Sequence, residues 1–270
     1  MNRLVTIVVA ASLTFGVSAL LAPSTSAQQT PCAGEKCVTD GVAAANGRGS
    51  AADASRAIAL FESGCVQGVK SSCAHEALMR LSWEDDGEAV SRAFAALAEA
   101  ERERLRAVYT ADCDSGAMRA CFHVGVLQEG GFAAPKDTAA ALERFSTSCN
   151  AGVARACYRE GKLMESGPPG YRDVMQAREL YRQACNGSDQ DACYALGMSL
   201  LGAEGAANRE QAEKRFVLAC ESQHPGACRE LGKMHLGGKA TASDAAKGKA
   251  LLDQACKAGD AEACALSKGG

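Results

Sequence analysis

The sequence has few aromatic residues, prolines and histidines, and it has no strong excess of charge. Aromatic residues make up 5% of the 270 positions, and there are six prolines and four histidines. Scarce proline beside abundant alanine favours helices over a β-sandwich or barrel. The net charge is −3, and no run of five like charges occurs. Since nucleic-acid binding requires a basic face, we expect an all-α protein without a nucleic-acid partner.

The N-terminal segment, residues 1–27, is typical of a secretory signal peptide. Arg3 is its only charged residue, residues 4–21 are mostly apolar, and small side chains precede a cleavage point before Gln28. The alternative is an uncleaved membrane anchor, because the apolar run approaches spanning length. Scattered serines and threonines make the run less apolar, which favours a cleaved signal peptide over a membrane anchor. We therefore predict an exported protein, periplasmic or extracellular, that has no membrane span after cleavage.

All 14 cysteines follow this segment, and twelve of them form pairs separated by eight positions. The first members recur at intervals of 48, 36, 36, 35 and 36 residues. The pairs are Cys65–Cys73, Cys113–Cys121, Cys149–Cys157, Cys185–Cys193, Cys220–Cys228 and Cys256–Cys264. A period near 36 indicates an array of repeats.

The residues around each pair predict two helices per repeat. In the first, helix A, small, large and cysteine side chains at positions −8, −4 and 0 from the first cysteine share one face. The large residues are Phe61, Tyr109, Phe145, Tyr181, Phe216 and Leu252. We expect N-caps at Asp53, Asp137, Asp173, Asn208 and Asp244 (or Ser243).

The second helix, helix B, carries the second cysteine. An alanine lies just before this cysteine in five repeats, and a glycine follows it by four residues in four repeats. Those glycines are Gly125, Gly161, Gly197 and Gly232. A further glycine between the two cysteines is expected to break the chain in a tight turn. These are Gly68, Gly116, Gly152, Gly187, Gly226 and Gly259.

Geometry predicts a disulfide within each pair. In one continuous helix, eight residues would separate the Cα atoms by about 12 Å, whereas a disulfide needs them within about 7 Å. The turn brings them together, and each bridge is worth about 2.5 kcal/mol in the chain-entropy model. Zinc would require four ligands in closer Cys/His sets, so no metal or cofactor is expected. Export also favours disulfides.

The N-terminal cysteines depart from the eight-residue rule. Cys37 lies 28 residues before Cys65, an interval that recurs between neighbouring repeats, and Gly41 follows Cys37 by four. Residues 35–50 therefore look like a lone helix B, and we predict a Cys32–Cys37 disulfide.

The solenoid is expected to span residues 28–270. After the half-repeat, six repeats are expected at 53–87, 100–136, 137–172, 173–207, 208–243 and 244–270. The 12 extra residues of the longest interval predict one long helix from Glu88 to Ala111. At the other end, Lys268 replaces the helix-B glycine and indicates a polar cap.

The segment 177–185, Ala-Arg-Glu-Leu-Tyr-Arg-Gln-Ala-Cys, and the segment 191–198, Asp-Ala-Cys-Tyr-Ala-Leu-Gly-Met, resemble the Sel-1-like repeat. The paired cysteines resemble its disulfide-rich branch, typified by the Helicobacter cysteine-rich proteins. The resemblance covers about residues 35–268. It implies a right-handed α-solenoid of antiparallel helix pairs, a tetratricopeptide-like superhelix with one disulfide per repeat. It also implies adaptor function, with penicillin binding or weak β-lactamase activity described in that branch.

The residues offer little support for catalysis. No serine has a lysine three positions later, as a serine β-lactamase requires. His75 and His123 share one register in adjacent repeats, which favours a helix-surface position. His224 is placed in an inter-cysteine turn and His235 late in a helix B, and no HxH or HExxH motif occurs. We therefore assign no catalytic, cofactor-binding or metal-binding residue.

The preferred function is an exported, monomeric scaffold that binds a protein or peptide on its concave face. A β-lactam-binding or weakly hydrolysing enzyme is the alternative. The candidates for exposed aromatic contacts are Trp83, Tyr158, Tyr171 and Tyr194, with local packing the competing interpretation for each. The sequence names neither the partner nor the residues that line the binding face.

Overall fold

The computed structural model describes residues 32–45, 54–81, 87–203 and 205–268. The predicted signal peptide, Asp53 and Trp83 lie outside these residues, and every statement below concerns the described part of the chain. In that part the secondary structure is helical throughout, with no strand.

Fourteen α-helices follow one another across the described ranges. They are α1 (Glu35–Ala45), α2 (Ala54–Val66), α3 (Lys70–Arg80), α4 (Gly87–Ala95), α5 (Glu99–Asp114), α6 (Met118–Gly130), α7 (Thr138–Asn150), α8 (Ala154–Ser166), α9 (Val174–Asn186), α10 (Gln190–Leu201), α11 (Ala206–Glu221), α12 (Pro225–Leu236), α13 (Ala245–Lys257) and α14 (Ala261–Lys268). Nearly all close packing joins helices that are consecutive in the chain, so the chain is an α-solenoid. None of these helices has both the length and the apolar character needed to cross a bilayer.

Helices A and B form where the cysteine spacing predicts them. Helices A are α2, α5, α7, α9, α11 and α13, and helices B are α3, α6, α8, α10, α12 and α14. The large residue four positions before each first cysteine is buried in all six helices A. This confirms that the −8, −4, 0 stripe faces the core.

Three of the expected N-caps are confirmed. The side chains of Asp137, Asp173 and Asp244 each accept a hydrogen bond from the backbone N–H three residues on, at 2.9–3.1 Å. The prediction for Asn208 is wrong, because α11 begins at Ala206, directly after Gly205. Gly205 takes the N-cap position with a φ of 119°, so the helix starts almost one turn earlier than the repeat spacing indicates.

The turn between helices A and B uses one left-handed residue, three positions after the first cysteine. In four repeats it is a glycine with φ between 85° and 96°: Gly68, Gly116, Gly152 and Gly259. In the other two it is Ser188 and Gln223, each with φ 66°. Gly187 ends α9 as its C-cap, as expected, but with φ −83° it is not the left-handed residue. The expectation for Gly226 is wrong, because this residue lies inside α12.

The helix-B glycines lie against the large residue of the next helix A. A Cβ atom on Gly161 would lie 2.7 Å from the Tyr181 ring, and one on Gly197 would lie 2.5 Å from the Phe216 ring. Gly41 has the same relation to Phe61, with a distance of 2.4 Å. These close approaches show that α8 and α10 pack on the following helix A, and that α1 packs as they do.

The predicted single helix from Glu88 to Ala111 is wrong, since the structure divides it into α4 and α5. At the break, Ala98 is extended (φ −67°, ψ 156°) and its N–H donates to the Glu101 carboxylate at 2.9 Å. This side-chain hydrogen bond caps the start of α5, and it competes with the backbone hydrogen bonds that would continue one helix through Ala98. The extra helix α4 buries Val90 and Phe94, and Phe94 contacts Phe132 with ring centroids 5.5 Å apart.

Candidate functional site

All seven cysteine pairs named from the spacing are bonded in the structure. The S–S distances are 1.93–2.11 Å and the Cα atoms are 4.5–5.0 Å apart. All 14 cysteines lie within the described residues and none is free. The cysteines therefore hold helices together, and no thiol is left for nucleophilic or redox chemistry.

The expected surface position of His75 and His123 is wrong, because both rings are buried. His75 stacks on Phe61 with centroids 4.8 Å apart, and its Nδ1 lies 2.9 Å from the hydroxyl oxygen of Tyr109. The His123 ring packs edge-on against Tyr109 at 5.1 Å. The two histidines occupy the same position along helix B, which the sequence shows. They are buried because the rings of α2 and α5 pack against them, which the sequence does not show.

Burial keeps this ring stack uncharged at neutral pH. It lowers the pKa of His75 to about 4. Burial, then the neighbouring His75 and Arg119, lowers the pKa of His123 to about 3. Burial and the charge of Asp112 raise the pKa of Tyr109 above its usual value. No group of three or more metal-ligating side chains occurs among the described residues.

A buried ionic cluster joins the starts of three helices B. Arg155 on α8 contacts Asp189 at 3.2 Å and Asp191 at 2.5 Å. Asp191 in turn lies 3.1 Å from Nε2 of His224. Burial opposes ionisation of Asp191, but the hydrogen bond from His224 and the charge of Arg155 outweigh it and lower its pKa. Arg155 also lies over the Tyr158 ring, 4.9 Å from the centroid.

The cluster depends on side-chain N-caps that the sequence pattern missed. Asp189, His224 and Asp260 each precede a helix B and accept a hydrogen bond from a backbone N–H of its first turn, at 2.8–3.0 Å. In α3, α6 and α8 the residue at this place is Val69, Ala117 or Val153. A capping residue four positions before the second cysteine was the available signal.

A second, more exposed ionic group continues along the last helices B. Arg229 on α12 contacts Asp260 at 2.5 Å and Glu262 at 3.3 Å. Lys233 contacts Glu262 at 3.4 Å, and the guanidinium of Arg229 donates to the Tyr194 hydroxyl at 3.4 Å. We call the surface of Tyr194, Arg229, Lys233 and Glu262 the helix-B stripe.

The aromatic candidates within the described residues differ in their exposure to solvent. Tyr158 is buried, so its candidacy as an exposed contact is wrong; it packs on Tyr181 with centroids 6.0 Å apart. Tyr194 is partly buried and stacks on His224 at 4.6 Å, while Tyr171 is 40% exposed. His235 is buried. Of the three aromatic candidates within the described residues, only Tyr194 belongs to an organised polar surface.

The sequence matches the Sel1 repeat family over residues 41–69, 119–153, 154–189, 190–224 and 225–260. Each matched segment contains a helix B followed by the next helix A. Three disulfides, Cys149–Cys157, Cys185–Cys193 and Cys220–Cys228, consequently join the end of one matched unit to the start of the next. No match covers α3, α4 and α5, the region that holds His75 and the extra helix. No curated protein matches the sequence.

Two solved structures share the fold. One is c5321, a protective antigen of uropathogenic Escherichia coli with an SLR fold. It has a TM-score of 0.58 and 19% sequence identity, and the match covers 86% of this chain and 55% of that one. The other is a Sel1 repeat protein from Oxalobacter formigenes. It has a TM-score of 0.55 and 20% sequence identity, and the match covers 61% of this chain and 68% of that one. The chain thus spans about half the length of the first structure. No feature of the described residues favours the β-lactam alternative.

Proposed function

Because the chain belongs to the Sel1 repeat family, we propose that it is an exported, monomeric scaffold that binds a protein or peptide on the concave face of its solenoid. Members of this family generally mediate protein–protein interaction. The observation that carries the proposal is the helix-B stripe, an organised surface of charged and aromatic side chains shared by α10, α12 and α14.

A contact between non-neighbouring repeats supports the proposed position of the concave face. Arg155 on α8 donates to the carbonyl of Leu81 at the end of α3, two repeats earlier in the chain. In a curved solenoid, units two apart approach each other on the inner side of the curve. This contact therefore supports a concave face formed by the helices B, and Leu81 and Arg155 close it near the N-terminal repeats.

The stripe has the composition of a recognition surface. Tyrosine and arginine are the residues that most often anchor protein interfaces. Ring stacking holds Tyr194 and ion pairs hold Arg229, so little side-chain conformational entropy would be lost when a partner binds. Lys233 and Glu262 are 42% and 54% exposed and offer charge of both signs to a partner.

Export is supported by the cysteines. Seven disulfides require an oxidising compartment to form and persist. The predicted cleavage before Gln28 leaves every cysteine in the mature chain. N-terminal sequencing of protein recovered from the cell envelope or medium should begin at Gln28; an intact Met1 terminus would contradict this part of the proposal.

Site-specific photo-crosslinking tests the scaffold function. A photoreactive amino acid is placed at Lys233 on the stripe and, as the control, at Lys214, which is 69% exposed on helix A α11. Crosslinking in the native cell should yield a discrete partner band from position 233 and none from position 214. Equal labelling from both positions, or none from 233, would overturn the proposal.

A further inference from the structure

The disulfide of the first full repeat is more accessible than those of the four repeats that follow. Cys65 and Cys73, which join α2 to α3, are both partly exposed. The eight cysteines of the next four bridges, from Cys113–Cys121 to Cys220–Cys228, are buried and at most 6% exposed. Since all 14 cysteines are bonded, the sulfur chemistry open to the chain is attack on a bridge by an external thiol. Access to the sulfur atoms therefore decides which bridge reacts.

Side chains of the following helix A lie against the bridges of the inner repeats. The Arg144 guanidinium of α7 is 3.3 Å from the Cys113 sulfur, and the Gln183 side-chain oxygen of α9 is 3.7 Å from the Cys149 sulfur. Both helices can approach closely because the helix B before each of them carries a glycine four residues after its second cysteine. Close packing between repeats thus covers these disulfides.

The first full repeat departs from this arrangement. Ala77 lies four residues after Cys73, at the position where the next four repeats have glycine. The helix that follows α3 is the extra helix α4, and α3 packs on it less extensively than α6, α8, α10 and α12 pack on their successors. A cavity of about 360 Å³ lies between α3 and α4, and its lining includes Cys73 and Ala77 from α3 and Ala89 and Ala93 from α4. This volume is within the range of small-molecule sites.

From this accessibility we infer that the Cys65–Cys73 bridge is a site of thiol–disulfide exchange with a low-molecular-weight thiol. A thiolate in the cavity attacks the Cys73 sulfur, the S–S bond breaks, and Cys65 leaves as a thiolate that takes a proton from water. The product is a mixed disulfide on Cys73 and a free thiol on Cys65, with no net oxidation or reduction. The disulfide itself selects the reactant, because the thiolate is the nucleophile of this exchange.

A dithiol carries the reaction one step further. Its second thiolate attacks its own sulfur in the mixed disulfide and releases Cys73, so the bridge gains two electrons and the dithiol is oxidised to a disulfide. The released Cys73 thiolate lies in the first turn of α3, where the helix dipole favours negative charge. The site includes no residue of the helix-B stripe and does not depend on the proposed scaffold function.

The packing around the bridge keeps the reaction local. His75, two residues after Cys73, stacks on Phe61 of α2, and its Nδ1 lies beside the Tyr109 hydroxyl of α5. Helices α2, α3 and α5 therefore stay joined through buried rings when the bridge opens. Exchange at this site is expected to leave the remainder of the array folded.

The test uses the purified, fully oxidised mature chain and dithiothreitol. Samples taken over time are quenched with excess N-ethylmaleimide and mapped by peptide mass spectrometry. Cys65 and Cys73 are expected to be labelled at least about tenfold faster than the cysteines of the four inner bridges, which local opening must first uncover. Urea below the unfolding transition should accelerate the inner bridges, whose reaction exposes buried surface, and leave the rate at Cys65–Cys73 nearly unchanged.

A pair of variants tests the part played by the cavity. Ala93→Leu narrows it from α4 and should slow the labelling of Cys65 and Cys73 several-fold. Ala250→Leu, at an exposed position of α13, should leave that labelling unchanged. If Ala93→Leu does not fold, the urea dependence of the unaltered chain decides the question.

Three results would each overturn the inference. The first is labelling of Cys65 and Cys73 no faster than that of the inner bridges. The second is a urea dependence equal to theirs, which would show that the bridge reacts only after opening. The third is equally fast labelling of Cys256–Cys264, which is partly exposed but does not line this cavity, so that exposure without the cavity would suffice.

Discussion

Arg155 and Leu81 are 74 residues apart in the sequence, yet the Arg155 Nε donates to the Leu81 carbonyl at 3.0 Å. The same guanidinium faces Asp189 and Asp191, so one side chain ties the first repeat to the third and fourth. It is 3% exposed, which makes its charge interactions sensitive to loss of either partner.

Replacing Arg155 by methionine should therefore destabilise the fold strongly. The change leaves two buried carboxylates and the Leu81 carbonyl without their cation, and we expect a loss of about 3–5 kcal/mol in the free energy of unfolding. Urea unfolding measures it. Arg182→Met, in a solvent-exposed pair with Glu179, is the control and should change stability little. Equal effects of the two substitutions would contradict the assigned role of Arg155.

Ser188 and Gln223 occupy left-handed turn positions that four other repeats give to glycine. Ser188→Gly and Gln223→Gly should each stabilise the protein by about 0.5 kcal/mol, because relief of left-handed strain exceeds the entropy gained by the unfolded chain. Gly152→Ala, at the same position with φ 88°, should do the opposite. Thermal unfolding of the three variants checks the sign, and a loss of stability in both glycine variants would refute the argument.

Gly161 must remain without a side chain if α8 and α9 are to pack at this distance. A Cβ would lie 2.7 Å from the Tyr181 ring and 3.2 Å from the Ala177 carbonyl oxygen. Gly161→Ala should cost about 1–3 kcal/mol, although alanine is the better helix former. Gly87→Ala, where a Cβ meets nothing within 4 Å, should be neutral or stabilising. Chemical denaturation compares the two, and a stabilised Gly161→Ala would show that the helices can separate freely.

The histidine stack predicts a loss of stability in acid. Burial lowers the pKa values of His75 and His123 to about 4 and about 3, below the unfolded value near 6.5. As the pH falls below 6.5, the unfolded chain binds protons that the folded chain excludes, so stability is present above 6.5 and declines toward pH 4. The slope should reach about 1.4 kcal/mol per pH unit for each ring.

Urea unfolding at pH 7 and pH 5 measures this slope. His75→Phe and His123→Phe remove one titrating ring each, and the double variant should flatten the pH dependence in this window. An unchanged slope in the double variant would assign the acid sensitivity to carboxylates instead.

The short Cys32–Cys37 bridge can be verified by mass spectrometry of the unreduced protein. Proteolytic fragments should show Cys32 linked to Cys37 and the remaining cysteines linked at intervals of eight. A fragment that joins Cys32 to any other cysteine would break the half-repeat interpretation of α1. Removing this pair should lower stability by about 2 kcal/mol in the chain-entropy model.

The sequence by itself determined the all-α solenoid and which face of each helix A is turned to the core. It could do so because each of these is local or periodic: cysteine intervals set the repeat, and positions −8, −4 and 0 share one helical face. Three of the four N-caps within the described residues followed from the same spacing. The left-handed turn position was missed in two repeats because it is occupied by serine and glutamine, which, unlike glycine, do not indicate a positive φ.

Only the tertiary structure decided which polar residues are buried and which surface is available. His75 and His123 share one helical register, and it is the rings of α2 and α5, brought in across the array, that exclude water from them. Arg155 contacts Leu81 across 74 residues, and no single repeat encodes a contact between the first repeat and the third. The helix-B stripe likewise depends on packing between repeats, which brings Tyr194 of α10, Arg229 of α12 and Glu262 of α14 together.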